Sequence, residues 1–345
     1  MAKRQKVFLG AYVNSINAQN LNCRALALHI DSKKFKCSAM ELQTGELSSL
    51  SGSIKIFKVR WPHRLNKYNS YFRGIKWADV VYLPKREASR WCRFLCWLFK
   101  KPSFSTMESV DEGVNWDKQL KNFGNKIAYL RHYKGFNKLF AISKFISNKN
   151  ADLHDIRFDG LLPLGVDSTS FDSNIKKELQ SVILIGNNLY YKGWKVYLQL
   201  ATAFPTITFH VVGSGLGLVD PKKESQHLNN VVCHGQCTHY ELNKILETVD
   251  LHILPSRNEG FPKVVLECAA AGIPSLLFSD YGAKEWMEGG FVVDKKEEMK
   301  QIINLLLQDP NRLRQASNQS TLLAEKYDWK HVVKRWEEVL SSLSP

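Results

Sequence analysis

PSRNEGFPKVVLECAAAGIP, residues 255–274, is the stretch whose reading decides the fold. It follows LHILP (251–255), a short apolar run that predicts a buried β-strand. Pro262 suits the first turn of a helix, where its missing N–H costs nothing. KVVLECAAA is a helical run, Gly272 can cap its end, and Pro274 prevents continuation. Ser256 to Glu259 then form a loop at the carboxyl end of a strand, with Glu259 just before a helix and Glu267 inside it. The first-turn amides around Phe261, Lys263 and Val264, with the helix dipole, suit an anion such as phosphate. Carboxylates beside such a site suit hydroxyls instead. Two of them flanking a phosphate site suggest a ligand with phosphates in the middle and hydroxyls at both ends, as in a nucleotide-sugar. Taken alone, the spacing is equally that of two solvated helix carboxylates.

Outward from this stretch, apolar runs alternate with helical patterns. VFLGAY (7–12), FKCSAMEL (35–42), IKIFKV (54–59), DVVYL (79–83), SFSTM (103–107) and KLFAIS (138–143) form one series of expected strands. VILIG (182–186), ITFHVVG (207–213), VVCH (231–234), LHILP (251–255) and PSLLF (274–278) form a second. Continuous apolar strands separated by helices mean parallel sheets covered on both faces. The expected fold class is α/β, with two doubly wound, Rossmann-like domains facing a cleft. Ligand is expected at the carboxyl ends of the strands. Domain limits of 1–167 and 168–327 follow from the polar stretch STSFDSNIKKELQ (168–180). After Gly290 the chain reads as mostly helical. WKHVVKRWEEVL (329–340) places Val332, Val333, Trp336, Val339 and Leu340 on one apolar face.

Length and composition fit two globular domains, and no apolar run approaches the roughly 20 residues of a membrane span. The opening MAKRQKVFLGAYV is too short in its apolar part for a signal peptide and reads as a first strand, which implies a cytoplasmic protein. The odd number of cysteines, 7, argues against a disulfide framework. CHGQCTH (233–239) has ligand-type residues in the wrong order for a zinc finger, so Cys233 and Cys237 read as reduced thiols. The net charge of +15 is uneven. Residues 1–165 carry 29 Lys and Arg against 12 Asp and Glu; residues 166–345 carry 19 against 21. The first half therefore faces something anionic. No nucleic-acid motif accompanies the charge. KREASRWCRFLCWLFKK (85–101) sets Arg86, Arg90, Arg93 and Lys100 near one helical face and Trp91, Phe94, Leu95 and Leu98 on another. That pattern fits either an interfacial helix or ordinary packing against a sheet.

Residues 255–274 resemble the signature of the family-4 retaining glycosyltransferases, which have the two-domain GT-B fold. Other pieces appear in the family's order: PLGVDSTSF (163–171), IGNNLYYKG (185–193), VVGSG (211–215), VVCHGQC (231–237) and YDWKHVVKRW (327–336). The resemblance is strong over 160–340 and weak before it. It implies a C-terminal helix, 328–345, that crosses back to the first domain. It also implies that the first domain binds acceptor and the second binds a nucleotide diphosphate sugar.

By that resemblance, Glu259 binds hydroxyls of the transferred sugar and Glu267 those of the ribose. Gly260, Phe261, Pro262 and Lys263 offer backbone to sugar and phosphate oxygens, and Lys192 neutralises the departing diphosphate. Gln236 and Cys237 sit in the turn that reads the base, and Gly213 either touches the donor or only forms a turn. The chain departs from the pattern at Asn187, where relatives carry Arg; Arg257 is a candidate to compensate. The first-domain loop GAYVNSINAQN has Gly10 in place of a Gly-Gly pair. Its Asn14, Ser15 and Asn17 either contact substrate or serve as caps and turns. Glu108 falls where many relatives have His, and could orient the acceptor hydroxyl or take its proton.

The chain has no D-x-D, which fits metal-independent chemistry with no cofactor. The reading is a retaining hexosyl- or N-acetylhexosaminyltransferase. Its acceptor would be a lipid-linked or lipopolysaccharide or capsule glycan at an anionic membrane face, with peripheral attachment and no nucleic-acid partner. The alternative is an inactive relative that binds membrane or a partner through its basic half.

Overall fold

The computed structural model describes residues 4–343, and by its internal contacts the chain divides into two compact units. The first comprises residues up to Gly165 together with Trp329 onward; the second is Val166–Asp328. In the first unit, chain order is β1 (Gln5–Tyr12), α1 (Ala18–His29), β2 (Phe35–Leu42), β3 (Lys55–Val59), α2 (His63–Trp77), β4 (Val80–Tyr82), α3 (Arg90–Leu98), β5 (Ser103–Met107), α4 (Gly113–Phe123), α5 (Lys126–Tyr133), β6 (Lys138–Ala141), α6 (Lys144–His154) and β7 (Gly160–Leu161). The second unit holds β8 (Ser181–Gly186), α7 (Trp194–Ala203), β9 (Thr208–Gly213), α8 (Pro221–Glu224), β10 (Val231–Gly235), α9 (His239–Glu247), β11 (Leu251–Leu254), α10 (Lys263–Ala270), β12 (Ser275–Phe278), α11 (Ala283–Trp286), β13 (Phe291–Val293), α12 (Lys296–Gln308) and α13 (Pro310–Lys326). Helix α14 (Trp329–Ser342) ends the chain in the first unit.

Both sheets are parallel. Their strand orders are β3-β2-β1-β4-β5-β6-β7 and β10-β9-β8-β11-β12-β13. In each, the order reverses beside the first strand, between β1 and β4 and between β8 and β11. In sheets of this kind the carboxyl-end loops at such a switch point are where ligand is expected. Strands β4, β5, β11 and β12 are buried along their whole length, as a sheet covered on both faces requires.

After Gly290 the chain is mostly helical, as expected, apart from Phe291–Val293, which pairs with β12 as β13. Two other expectations are corrected. Residues 85–101 do not form one helix. Lys85–Glu87 is a 3-10 turn, and Ser89 caps α3 by accepting from the Cys92 amide, so the face expected through Arg86 is broken. The Arg86 side chain lies outside the described residues. Pro262 stands one position before α10, as its cap residue, rather than in its first turn. Among the described residues no helix is long and apolar enough to cross a membrane.

Helix α14 buries Trp329, Val332, Val333, Trp336, Val339 and Leu340, the face expected from its spacing. Trp336 is 1% exposed. Its ring meets Tyr82 edge-on at 5.1 Å, and its indole N–H donates to the Pro163 carbonyl at 3.2 Å. Gln5 ties the far end by donating to the Leu340 carbonyl at 2.9 Å. Truncating a buried aromatic removes its transfer energy and leaves a cavity. Trp336→Ala is therefore expected to destabilise the first unit by about 3–5 kcal/mol in urea unfolding. An unchanged midpoint would contradict this packing.

Candidate active site

In the second unit, the turn after β8 and the loop after β11 meet across the switch point. The turn, residues 187–193, is closed by Lys192 N–H to Asn188 O (3.1 Å) and Gly193 N–H to Tyr190 O (3.3 Å). Gly193 has φ +86°, and a Cβ there would sit 2.1 Å from the Pro255 carbonyl oxygen. Only glycine fits, because φ is positive and the backbones touch. Ser256 Oγ adds a hydrogen bond to Tyr191 O at 3.0 Å.

This close approach delivers Lys192 to Glu259. Lys192 Nζ lies 2.7 Å from Glu259 Oε1, with side-chain exposures of 22% and 12%. The lysine stem runs over Gly186, where a Cβ would meet Lys192 Cγ at 2.7 Å. Pro262, the N-cap residue of α10, makes no side-chain cap hydrogen bond. A fixed ammonium, a carboxylate and a helix N-terminus thus come together from two adjoining loops. The first and last attract an anion, and the carboxylate accepts from hydroxyls. Glu267, half-buried on α10, has no side-chain partner among the described residues.

The other expected residues divide. Gly213 has φ +118°, and a Cβ there would fall 1.9 Å from Gly186 O, so the close pairing of the ends of β8 and β9 itself requires glycine. Asn187 is exposed and its carbonyl accepts from Ser214 Oγ at 3.1 Å. Gln236 is exposed and Cys237 half-buried, directly after Gly235 with φ +74°. A pocket at the ends of β9 and β10 is lined by Gly213, Ser214, Gly215, Lys222, Cys233 and Gly235. Phe261 is buried against Trp286 (4.7 Å) and Tyr327 (5.3 Å), so its side chain anchors the loop and only its backbone is offered to a ligand. Arg257, the candidate to compensate for Asn187, donates to both oxygens of Asp280 at 3.0 and 2.9 Å and lies 4.1 Å over the Phe278 ring.

In the first unit, Gly10 lies within β1 rather than in the loop after it, and a Cβ would strike Leu83 Cδ2 at 2.6 Å. Asn14 exchanges two 2.9 Å hydrogen bonds with the backbone of Leu42, and Asn17 caps α1 by accepting from the Asn20 amide at 2.9 Å. These side chains hold the loop. Ser15 is half-buried and its amide closes a turn onto Tyr12 O at 3.1 Å. Glu108 is half-buried at the carboxyl end of β5 and accepts from Thr106 Oγ1 at 3.4 Å.

Spacing gave no sign of three supporting groups. Lys85 is buried against Asp111 and donates to Ser109 at 2.9 Å, while Tyr129 donates to Asp111 at 2.6 Å. This cluster pins the loop that carries Glu108. Tyr281 is fully buried, and its hydroxyl has no hydrogen-bond partner among the described residues; burial and then the Glu259 charge push its phenol well up. His252 on β11 is fully buried, its Nδ1 2.9 Å from Ser275 Oγ and its Nε2 without a partner among the described residues. A lone hydrophilic residue inside an apolar strand was the available signal for His252.

Residues 166–340 match the family described as Glycosyl transferases group 1. An uncharacterized glycosyltransferase of Haemophilus influenzae is 30% identical over 184 residues, 48% of this chain and 50% of that one. The N,N'-diacetylbacillosaminyl-diphospho-undecaprenol alpha-1,3-N-acetylgalactosaminyltransferase of Campylobacter jejuni is 26% identical over 161 residues, 45% of this chain and 43% of that one. The chain thus spans about half the length, or less, of these curated relatives. Over 98% of this chain and 100% of the other, the fold is similar to Anabaena Alr3699/HepE crystallised with UDP and glucose, with a TM-score of 0.77 at 14% identity. The fold is accordingly GT-B.

Burial holds the His252 imidazole down at about 3, against an ordinary value of 6.5, and the Lys192 charge adds to this. A base kept neutral by folding contributes stability that is present above its ordinary value and lost as pH falls below it. Wild type is expected to lose more stability than His252→Leu between pH 6.5 and 3 in urea titrations. Parallel losses would contradict the assignment.

Proposed function

The chain belongs to the glycosyl transferases group 1, and from that premise we propose that it transfers a sugar from a nucleotide diphosphate sugar to an acceptor hydroxyl. The observation that carries this is the Lys192–Glu259 pair at the carboxyl ends of β8 and β11, beside the start of α10. When donor enters, its diphosphate competes with Glu259 for the ammonium, and Glu259 is released to accept from sugar hydroxyls. Lys192 and the α10 amides then face the charge that grows on the departing diphosphate, a preorganised electrostatic term of the kind that dominates such reactions. Glu267 takes the ribose hydroxyls, and the turn at Gln236 and Cys237 lies against the base. Lysine and amides supply the positive charge, so the reaction runs without metal. With no arginine at Asn187, Lys192 carries a larger share of that charge.

Attack on the same face as departure, with the leaving phosphate taking the acceptor proton, retains the anomeric configuration. Glu108 orients the acceptor hydroxyl. The acceptor is a glycan on a lipid carrier or lipopolysaccharide at the cytoplasmic face of a membrane. The strongly basic first half supports this reading, as does the undecaprenol-linked substrate in the name of the Campylobacter jejuni relative.

Thermal unfolding with UDP, GDP, ADP, CMP and dTDP in parallel, without metal, tests the donor site. Saturation at 100 times the dissociation constant adds about 2.7 kcal/mol. One nucleotide is expected to stabilise wild type, and Glu267→Ala to weaken its binding about 10- to 100-fold, as loss of a charged hydrogen-bond acceptor implies. Lys192→Ala is expected to lower turnover of the matching sugar donor about 100- to 1,000-fold. No shift with any nucleotide would favour a binding protein that has lost turnover.

A further inference from the structure

Helix α3 buries only Cys92, Leu95 and Cys96. Trp91, Phe94, Trp97 and Leu98 point outward, with Trp97 73% exposed. The same is true of α2. It buries Ser70, Tyr71, Gly74 and Ile75, while Leu65, Tyr68 and Phe72, spaced i, i+3 and i+7, lie exposed. Ring contacts join these two outward stripes. Tyr68 meets Trp91 edge-on at 6.3 Å, Phe72 meets Phe99 at 5.3 Å, and Trp91, Phe94 and Trp97 follow one another at 5.8 Å. The result is one continuous aromatic and aliphatic face. A soluble monomer does not normally leave such a face uncovered.

Its charge says what covers it. Segments 60–77 and 90–101 carry nine Lys and Arg and not one Asp or Glu. Lys67 pairs with Glu87 at 3.2 Å, and Arg90 and Arg93 donate to backbone carbonyls. Arg60, Arg64, Arg73, Lys76, Lys100 and Lys101 form no ion pair among the described residues. Trp97, Leu98, Lys100 and Lys101 line one shallow groove, so apolar and cationic groups share the same surface.

We propose that α2 and α3 together form a docking face for an anionic lipid bilayer, with Trp91, Phe94, Trp97 and Leu98 in the headgroup–acyl boundary and the cations on lipid phosphates. Tryptophan and tyrosine are amphipathic and sit at that boundary, whereas Leu and Phe enter the acyl edge. An anionic leaflet attracts unpaired Lys and Arg within a Debye length. The aliphatic members favour lipid over a single-stranded nucleic acid, which stacks on rings alone. This deepens the reading of a membrane-borne acceptor and rests on it for its biological sense, but the face is a property of α2 and α3 alone.

The test is co-sedimentation of the full chain with phosphatidylcholine vesicles, with and without one-third phosphatidylglycerol. Wild type is expected to pellet with the anionic vesicles and not with pure phosphatidylcholine, less so at high salt. The double variant Trp91→Ser, Trp97→Ser is expected to partition about tenfold more weakly at an unchanged melting temperature. Lys100→Gln with Lys101→Gln should weaken binding and flatten its salt dependence. Wild type remaining in the supernatant, or both variants pelleting like wild type, overturns the proposal. So does a dimer or an RNA complex formed through this face in place of vesicle binding. The nucleotide melting shift, run on the same samples, keeps the two readings apart. A retained shift without vesicle binding defeats this inference alone, and vesicle binding without a shift defeats the donor site alone.

Discussion

The contact between Gly193 and the Pro255 carbonyl governs the second unit. At 2.1 Å from a would-be Cβ, no side chain can stand there, and the two loops flanking the β8–β11 switch point are held in touch. Lys192 precedes that glycine and Glu259 lies four residues past that proline, so a backbone approach becomes a charged pair at 2.7 Å. Neighbouring glycines serve the same end. Gly186 leaves room for the lysine stem, and Gly213 lets the end of β9 close on Gly186. The site is therefore set by where side chains are missing as much as by those present.

The pair also describes a resting state. A partly buried ammonium and carboxylate satisfy each other, and breaking one side leaves the other charge unpaired at a cost. On the proposed function, donor would offer both at once, phosphate for the lysine and hydroxyls for the glutamate. A diphosphate without sugar would offer only the first, and the proposal thereby implies a preference for the intact donor over its spent product.

Much of this was legible in the sequence. FKCSAMEL and SFSTM become β2 and β5 with the expected limits, because short runs rich in apolar and strand-forming residues between helical patterns suit a parallel sheet. The face of α14 was legible from its spacing. Pairings across distance were not. Arg257 looked free to meet a phosphate, yet Asp280 and Phe278 hold it. Asn14 and Asn17 were open between substrate contact and cap or turn roles, and both are spent on backbone. The buried Lys85–Asp111 pair, 26 residues apart, has no periodicity to reveal it. Residues 85–101 misled for a related reason. Glu87 is drawn inward to the Tyr71 hydroxyl at 2.5 Å, which ends the 3-10 turn before α3 begins and leaves the aromatic face outside.

The measurement closest to the central claim is calorimetric binding of a nucleoside diphosphate and of its sugar donor to wild type and Glu259→Gln. If Lys192 must be released from Glu259 to meet phosphate, the variant binds the diphosphate more tightly than wild type does, while its gain for the intact donor is smaller or reversed. Equal weakening of both ligands would mean that Glu259 supports the diphosphate rather than competing with it, and the account of the pair would be wrong.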